Sequence, residues 1–172
     1  DRQPCILPDM AEPPSPAIPA SPVDPLGEAL HLLRMTGVFY CRSEFTAPWG
    51  LVLPPFTGCM MFHVVTAGEC WLDVDGAAPR LLRPGDLALV PHGEGHRLVS
   101  ELGAPTAALF DVPRELLSDR YELLRHGGGG VPTTVVCGVV RFHHPAAQHL
   151  VRLLPRLIAV DAWDSSEGEW LQ

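Results

Sequence analysis

The sequence predicts a mainly β domain closed into a barrel or sandwich. Three observations carry this. Short apolar runs recur with turn residues between them, roughly every ten residues. Asp75-Gly76 closes one such run with a hairpin signal. Residues 83–96, RPGDLALVPHGEGH, set a strand between two turns: Gly85-Asp86 turns the chain, Leu87 and Leu89 mark the strand, Pro91-His92-Gly93 turns it again, and His96 opens the next strand.

In chain order, residues 1–25 hold 8 of the 19 prolines. Proline lacks a backbone donor and favours extended chain, so residues 1–23 are expected to be a tail or linker. Asp24 and Pro25 suit the N-cap and first position of a short N-terminal helix. Leu26, Leu30 and Leu33 carry its apolar face to Met35, and Gly37 stops it. Strands are then expected at 38–42, 49–53, 60–65, 70–74, 80–83, 96–99, 107–111 and 133–142. Residues 146–160, AAQHLVRLLPRLIAV, return to helical periodicity through Leu150, Leu153, Leu154 and Leu157, with Pro155 as a kink or break. The domain plan is a tail (1–23), a barrel (24–145) and a C-terminal helical segment (146–172).

The chain has 172 residues and is 47% hydrophobic, enough for one domain with a real core. It has no apolar run long enough to cross a bilayer and opens with no signal-peptide pattern, so no membrane association is expected. All 12 basic residues are arginine and the net charge is −8. So acidic a chain should repel phosphate backbones, which argues against DNA binding by this segment alone. The five cysteines are widely spaced with no CxxC, which favours reduced thiols and a cytoplasmic setting.

The spacing G-D-(x)4-P-x-G-x-x-H in residues 85–96 resembles the second signature of the cupin superfamily, small β-barrels that hold metals or small ligands. FHVVTAGECWLDVDG (62–76) resembles the first signature in degraded form. Where metal-binding cupins carry a glutamate seven residues before a glycine, this chain has Met61 before Gly68, and no HxH precedes it. Taken in order, DPLGEALHLLRMTG, APWGLVLPP, FHVVTAGECWL, RPGDLALVPHGEGH and RHGGGGVPTTVVCGVVRFHHP resemble the N-terminal sensor domains of AraC-type transcription regulators. The resemblance implies a cupin fold, a double-stranded β-helix or jelly-roll barrel, with a short N-terminal helix and a C-terminal helical segment. It also implies a small-molecule effector, a homodimer, and DNA contact only through a C-terminal helix-turn-helix domain that this chain does not include.

His96 is the first candidate site residue, because the matching histidine of metal cupins is a ligand. His63 should face the same barrel side as Met61, since strand side chains alternate. Together with Cys137 these histidines are candidates for a divalent transition metal such as zinc, although two histidines fall short of the three protein ligands usual at catalytic sites. Cys70 is a weaker thiolate candidate, and plain core packing competes for both cysteines. Trp49 and Trp71 are candidates to stack on an organic ligand, against a core role. His92 is expected on the surface. His143 and His144, as adjacent strand residues, should face opposite sides and chelate one ion poorly. His126-Gly127-Gly128-Gly129-Gly130 has no GK[ST], so a loop or lid at the barrel mouth is expected in place of a phosphate loop.

The expected function is effector sensing by population shift, with the apolar face of 146–160 either a dimer surface or packed against its own barrel. No GxSxG elbow supports a hydrolase. The alternatives are a metal-dependent cupin enzyme, of dioxygenase or isomerase class, and a stand-alone binding or storage protein.

Overall fold

The computed structural model describes residues 35–143 and 145–161. The tail and most of the expected N-terminal helix lie outside these residues. The end of that helix is corrected: Met35 already belongs to strand β1 (Met35–Thr46). Val38, Phe39 and Tyr40 are strand formers. Their pairing with the long strand β11 (Pro132–Phe142) extends as far as Met35 opposite Phe142.

Two sheets face each other. The larger contains β1 and β11 together with β3 (Cys59–Ala67), β6 (Leu87–Val90), β9 (Arg114–Ser118), β10 (Tyr121–Gly127) and β12 (Ile158–Val160). Its order is β12-β6-β3-β11-β1-β10-β9. The smaller contains β2 (Gly50–Leu53), β4 (Cys70–Val74), β5 (Arg80–Leu82), β7 (His96–Val99) and β8 (Ala107–Ala108), in the order β5-β4-β7-β2-β8. Most neighbours are antiparallel, while β1 with β10 and β2 with β8 run parallel. A 3-10 turn, Leu109–Asp111, ends the run expected as strand 107–111.

Alternation decides which residues enter the core. On β3, Cys59, Met61, His63 and Val65 point inward, and on β4, Cys70, Leu72 and Val74 do so. They meet Leu98, Val90 and Leu124 in one apolar cluster between the sheets. The two turns around β6 fix where β7 begins. In the first, Asp86 folds its carboxylate back to accept the Arg83 N–H at 2.8 Å, and Gly85 takes φ +92°. In the second, Gly93 has φ +63°, and any Cβ there would collide with the carbonyls of Phe56 and Cys59. No described helix is long and apolar enough to cross a membrane.

The C-terminal segment also departs from expectation. Helix α1 (Pro145–Arg152) ends three residues before Pro155, and Ile158–Val160 forms β12 against β6. Proline disfavours a helical residue before it and offers no N–H to continue the ladder. The last turn tightens accordingly, with Leu153 and Leu154 donating to the carbonyls of Leu150 and Val151. The barrel therefore borrows a strand from beyond residue 145.

Candidate ligand site in the barrel

The site grows from one row of cross-strand neighbours. Cys41 on β1 lies opposite Cys137 on β11, Cys137 opposite His63 on β3, and His63 opposite Ala88 on β6. All four side chains are buried. From the facing sheet, the turn at Gly93 delivers His96, which is 3% exposed, to the end of the His63 ring. The two Nε2 atoms are 2.7 Å apart and the rings meet edge to face. The other nitrogen of His63, Nδ1, lies 3.1 Å from the Cys137 Sγ, and Nδ1 of His96 lies 3.0 Å from the Glu94 carbonyl.

Those partners fix every proton. A carbonyl only accepts, so His96 Nδ1–H donates to Glu94. A neutral His96 then has a bare Nε2, to which His63 Nε2–H donates. That leaves His63 Nδ1 bare, and the Cys137 thiol donates to it. Burial supports the neutral forms. It pushes His63 well below its ordinary value of 6.5, with His96 adding to the effect. It lowers His96 too, partly opposed by the Glu94 carbonyl. The Cys137 thiol is driven well up by burial, with the neighbouring Cys41 and Cys70 thiols adding to this. Cys41 is raised by burial, and Cys70 is pushed up to about 12 by burial and Glu69. The result is a neutral, one-directional chain: Cys137 to His63 to His96 to Glu94.

Beside it lies a cavity of about 20 Å³, lined in part by Ser43, Met61, His63, Leu109 and Cys137. That holds one water molecule, given that a water needs ~10–15 Å³. Its lining is almost wholly apolar and carries no charge, although Ser43, His63 and Cys137 border it.

The residues present fit a metal only in part. The two Nε2 atoms converge on one point. Cys137 meets the opposite edge of the His63 ring, so thiol and His96 cannot share an ion through His63. Among the described residues no group of three or more His, Cys, Asp or Glu side chains is placed to hold one. The expected set of His63, His96 and Cys137 is brought together as a histidine pair with Cys137 on the outer nitrogen of His63. Metal-bound histidines commonly donate their second N–H to a carbonyl, as His96 does to Glu94.

Neither tryptophan reaches this cavity. Trp49 is buried against Phe45, ring centroids 4.1 Å apart, in the apolar core. Trp71 alternates to the outer face of β4. The expected glycine lid is instead tethered. Gly128 and Gly130 donate to the carbonyls of Thr46 and Ala47, and Gly129 N–H donates to the Thr46 hydroxyl. His143 is exposed and bonds Thr36 Oγ1 at 2.7 Å, while His144 lies outside the described residues. His92 is half-buried, and its Nε2–H donates to the Val151 carbonyl near the end of α1 at 3.1 Å. Sequence reasoning also missed Cys41 and Ser43. Their spacing of two on a strand was the available signal for a shared inward face.

Two facing sheets with a histidine pair at their centre define a cupin-type barrel. The chain belongs to the cupin family: the family model described as Cupin matches residues 24–172. Over 145 residues it is 25% identical to an uncharacterised helix-turn-helix-type transcriptional regulator of Haemophilus influenzae, covering 83% of this chain and 46% of that protein. The chain therefore spans about half the length of the regulator that it matches. The crystal structure of fatty-acid-bound ToxT from Vibrio cholerae aligns with a TM-score of 0.41 at 11% identity, covering 74% of this chain and 42% of that one.

Proposed function

We propose that this cupin domain is the small-molecule sensor of a transcription regulator and carries out no catalysis itself. The observation that carries the reading is the buried chain from Cys137 through His63 and His96 to Glu94, set beside a cavity. All its polar groups are satisfied by one another, and among the described residues no third metal ligand converges on the pair. The similarity to a helix-turn-helix regulator supports the same reading. His63 and His96 are the proposed effector contacts, Cys137 their outer partner, and the cell interior the setting.

A route for the signal exists. Glu94 supplies the carbonyl that orients His96, and its carboxylate holds Arg156 of the C-terminal segment at 2.9 Å. Arg156 also reaches the Asp75 carbonyl. A ligand that shifts His96 would bias how the segment 145–161 sits, which is a population shift of the kind used by such sensors. Leu150 and Leu153 are 54% and 81% exposed and continue one apolar face. That face is the proposed homodimer surface, and DNA contact is assigned to a separate domain.

Two experiments test the reading. A thermal-shift screen should find a small molecule that raises the Tm of the wild type and not of His63→Ala. Elemental analysis addresses metal. Stoichiometric zinc that disappears in both His63→Ala and His96→Ala would make the site a metal centre and reopen the enzyme alternative. Metal at background level fits an organic effector.

A further inference from the structure

A second cavity, of about 270 Å³, adjoins the small one, and Phe39, Cys41 and Leu109 line both. Sharing that wall and reaching the exposed Phe110, it is a vestibule to the small cavity. Three phenylalanines run along it: Phe39 and Phe56 with ring centroids 6.0 Å apart, then Phe56 and Phe110 at 6.5 Å. Phe110 lies at the rim, 56% exposed, with the Arg114 guanidinium 5.1 Å from its ring centroid. Glu122 stands 3.5 Å from Arg114. Among the described lining residues these two carry the only charges, and they offset each other.

We infer that this vestibule takes a neutral molecule of one aromatic ring bearing a hydroxyl group, with the ring among the phenylalanines and the hydroxyl toward Ser43. The inference rests on the sensor reading and names its ligand class. Size limits the ligand to about one ring, since a cavity of ~150 Å³ accommodates benzene. Three phenyl walls favour an aromatic guest by edge and offset contacts. Charge argues for neutrality. A charged guest would lose its water beside apolar walls, where Arg114 and Glu122 already offset each other. At the inner end Ser43 is 1% exposed, and its hydroxyl meets thiols, the Cys41 Sγ at 3.5 Å and the Cys137 thiol. A guest hydroxyl would be a better partner than a thiol.

The test is a fluorine NMR titration of the whole chain with 4-fluorophenol, 4-fluorobenzoate and 4-fluorobenzylammonium. The phenol should bind saturably, and at least about tenfold more tightly than either charged probe. Ser43→Ala, a near-isosteric change, should keep the fold and weaken phenol binding several-fold, up to about tenfold, through loss of one buried hydrogen bond. Equal or tighter binding of a charged probe would overturn the inference, as would phenol binding indifferent to Ser43→Ala or no saturable phenol binding. The two readings fail separately. If the phenol does not bind while another small molecule shifts the Tm in a His63-dependent way, the vestibule assignment falls and the sensor stands. If the phenol binds as described but leaves hydrogen exchange across 145–161 unchanged, the vestibule stands and the sensor reading falls.

Discussion

The barrel interior and the C-terminal segment are held by different physics. Inside, His63, Met61 and Leu72 are fully buried, and every polar group in the histidine chain is bonded to another. From 145 to 161 the chain keeps few buried apolar groups. It is held by three β12–β6 register pairs, by His92 on the Val151 carbonyl, and by two exposed ion pairs, Arg156 with Glu94 and Arg80 with Asp161. The interior is therefore expected to carry more of the fold's stability than the segment does. Regions that move on signalling are drawn from the less stable part of a structure.

This contrast can be broken from either side. Leu72→Ala should cost about 2–5 kcal/mol, since it leaves a cavity in close-packed surroundings, and chemical denaturation would measure it. His96→Ala should cost about 1–3 kcal/mol, because it leaves the buried His63 N–H without its acceptor. At the other extreme, Arg156→Ala removes an exposed pair and should change global stability by less than about 1 kcal/mol. Its signature should be local: faster amide exchange over 153–161 with the β3, β4 and β7 amides unaffected. A large global loss for Arg156→Ala would show that the segment is part of the fold's foundation.

Acid should expose the same contrast. His63 and His96 are held below their ordinary 6.5 in the folded protein, so the unfolded chain takes up protons first as pH falls. Stability is then complete above about 6.5 and declines as pH drops through that value toward the folded values. The Tm should fall between pH 7 and 5 in the wild type and fall less steeply in His63→Phe. An identical slope in the two would assign the acid sensitivity to other groups.

Much of this was legible in the sequence. The turn residues of 83–96 placed His96 at a strand start, and alternation from Met61 placed His63 inside. Strands β9 and β10 were not legible, because Arg114–Ser118 is exposed throughout and shows no two-residue alternation. Pro155 marked the break in the helix, but leucine spacing could not show that residues 158–160 find a strand partner in β6. The role of Cys137 also depended on register. Only the pairing of β11 with β3 shows that it faces the Nδ1 edge of His63, away from His96.

The central claim is that the barrel holds a neutral, oriented Cys137–His63–His96 chain. Nitrogen NMR of the imidazoles at pH 7 tests it most directly. Both rings should be neutral, with the proton on Nε2 of His63 and on Nδ1 of His96. An imidazolium signal from either ring, or the opposite tautomer at His63, would contradict it.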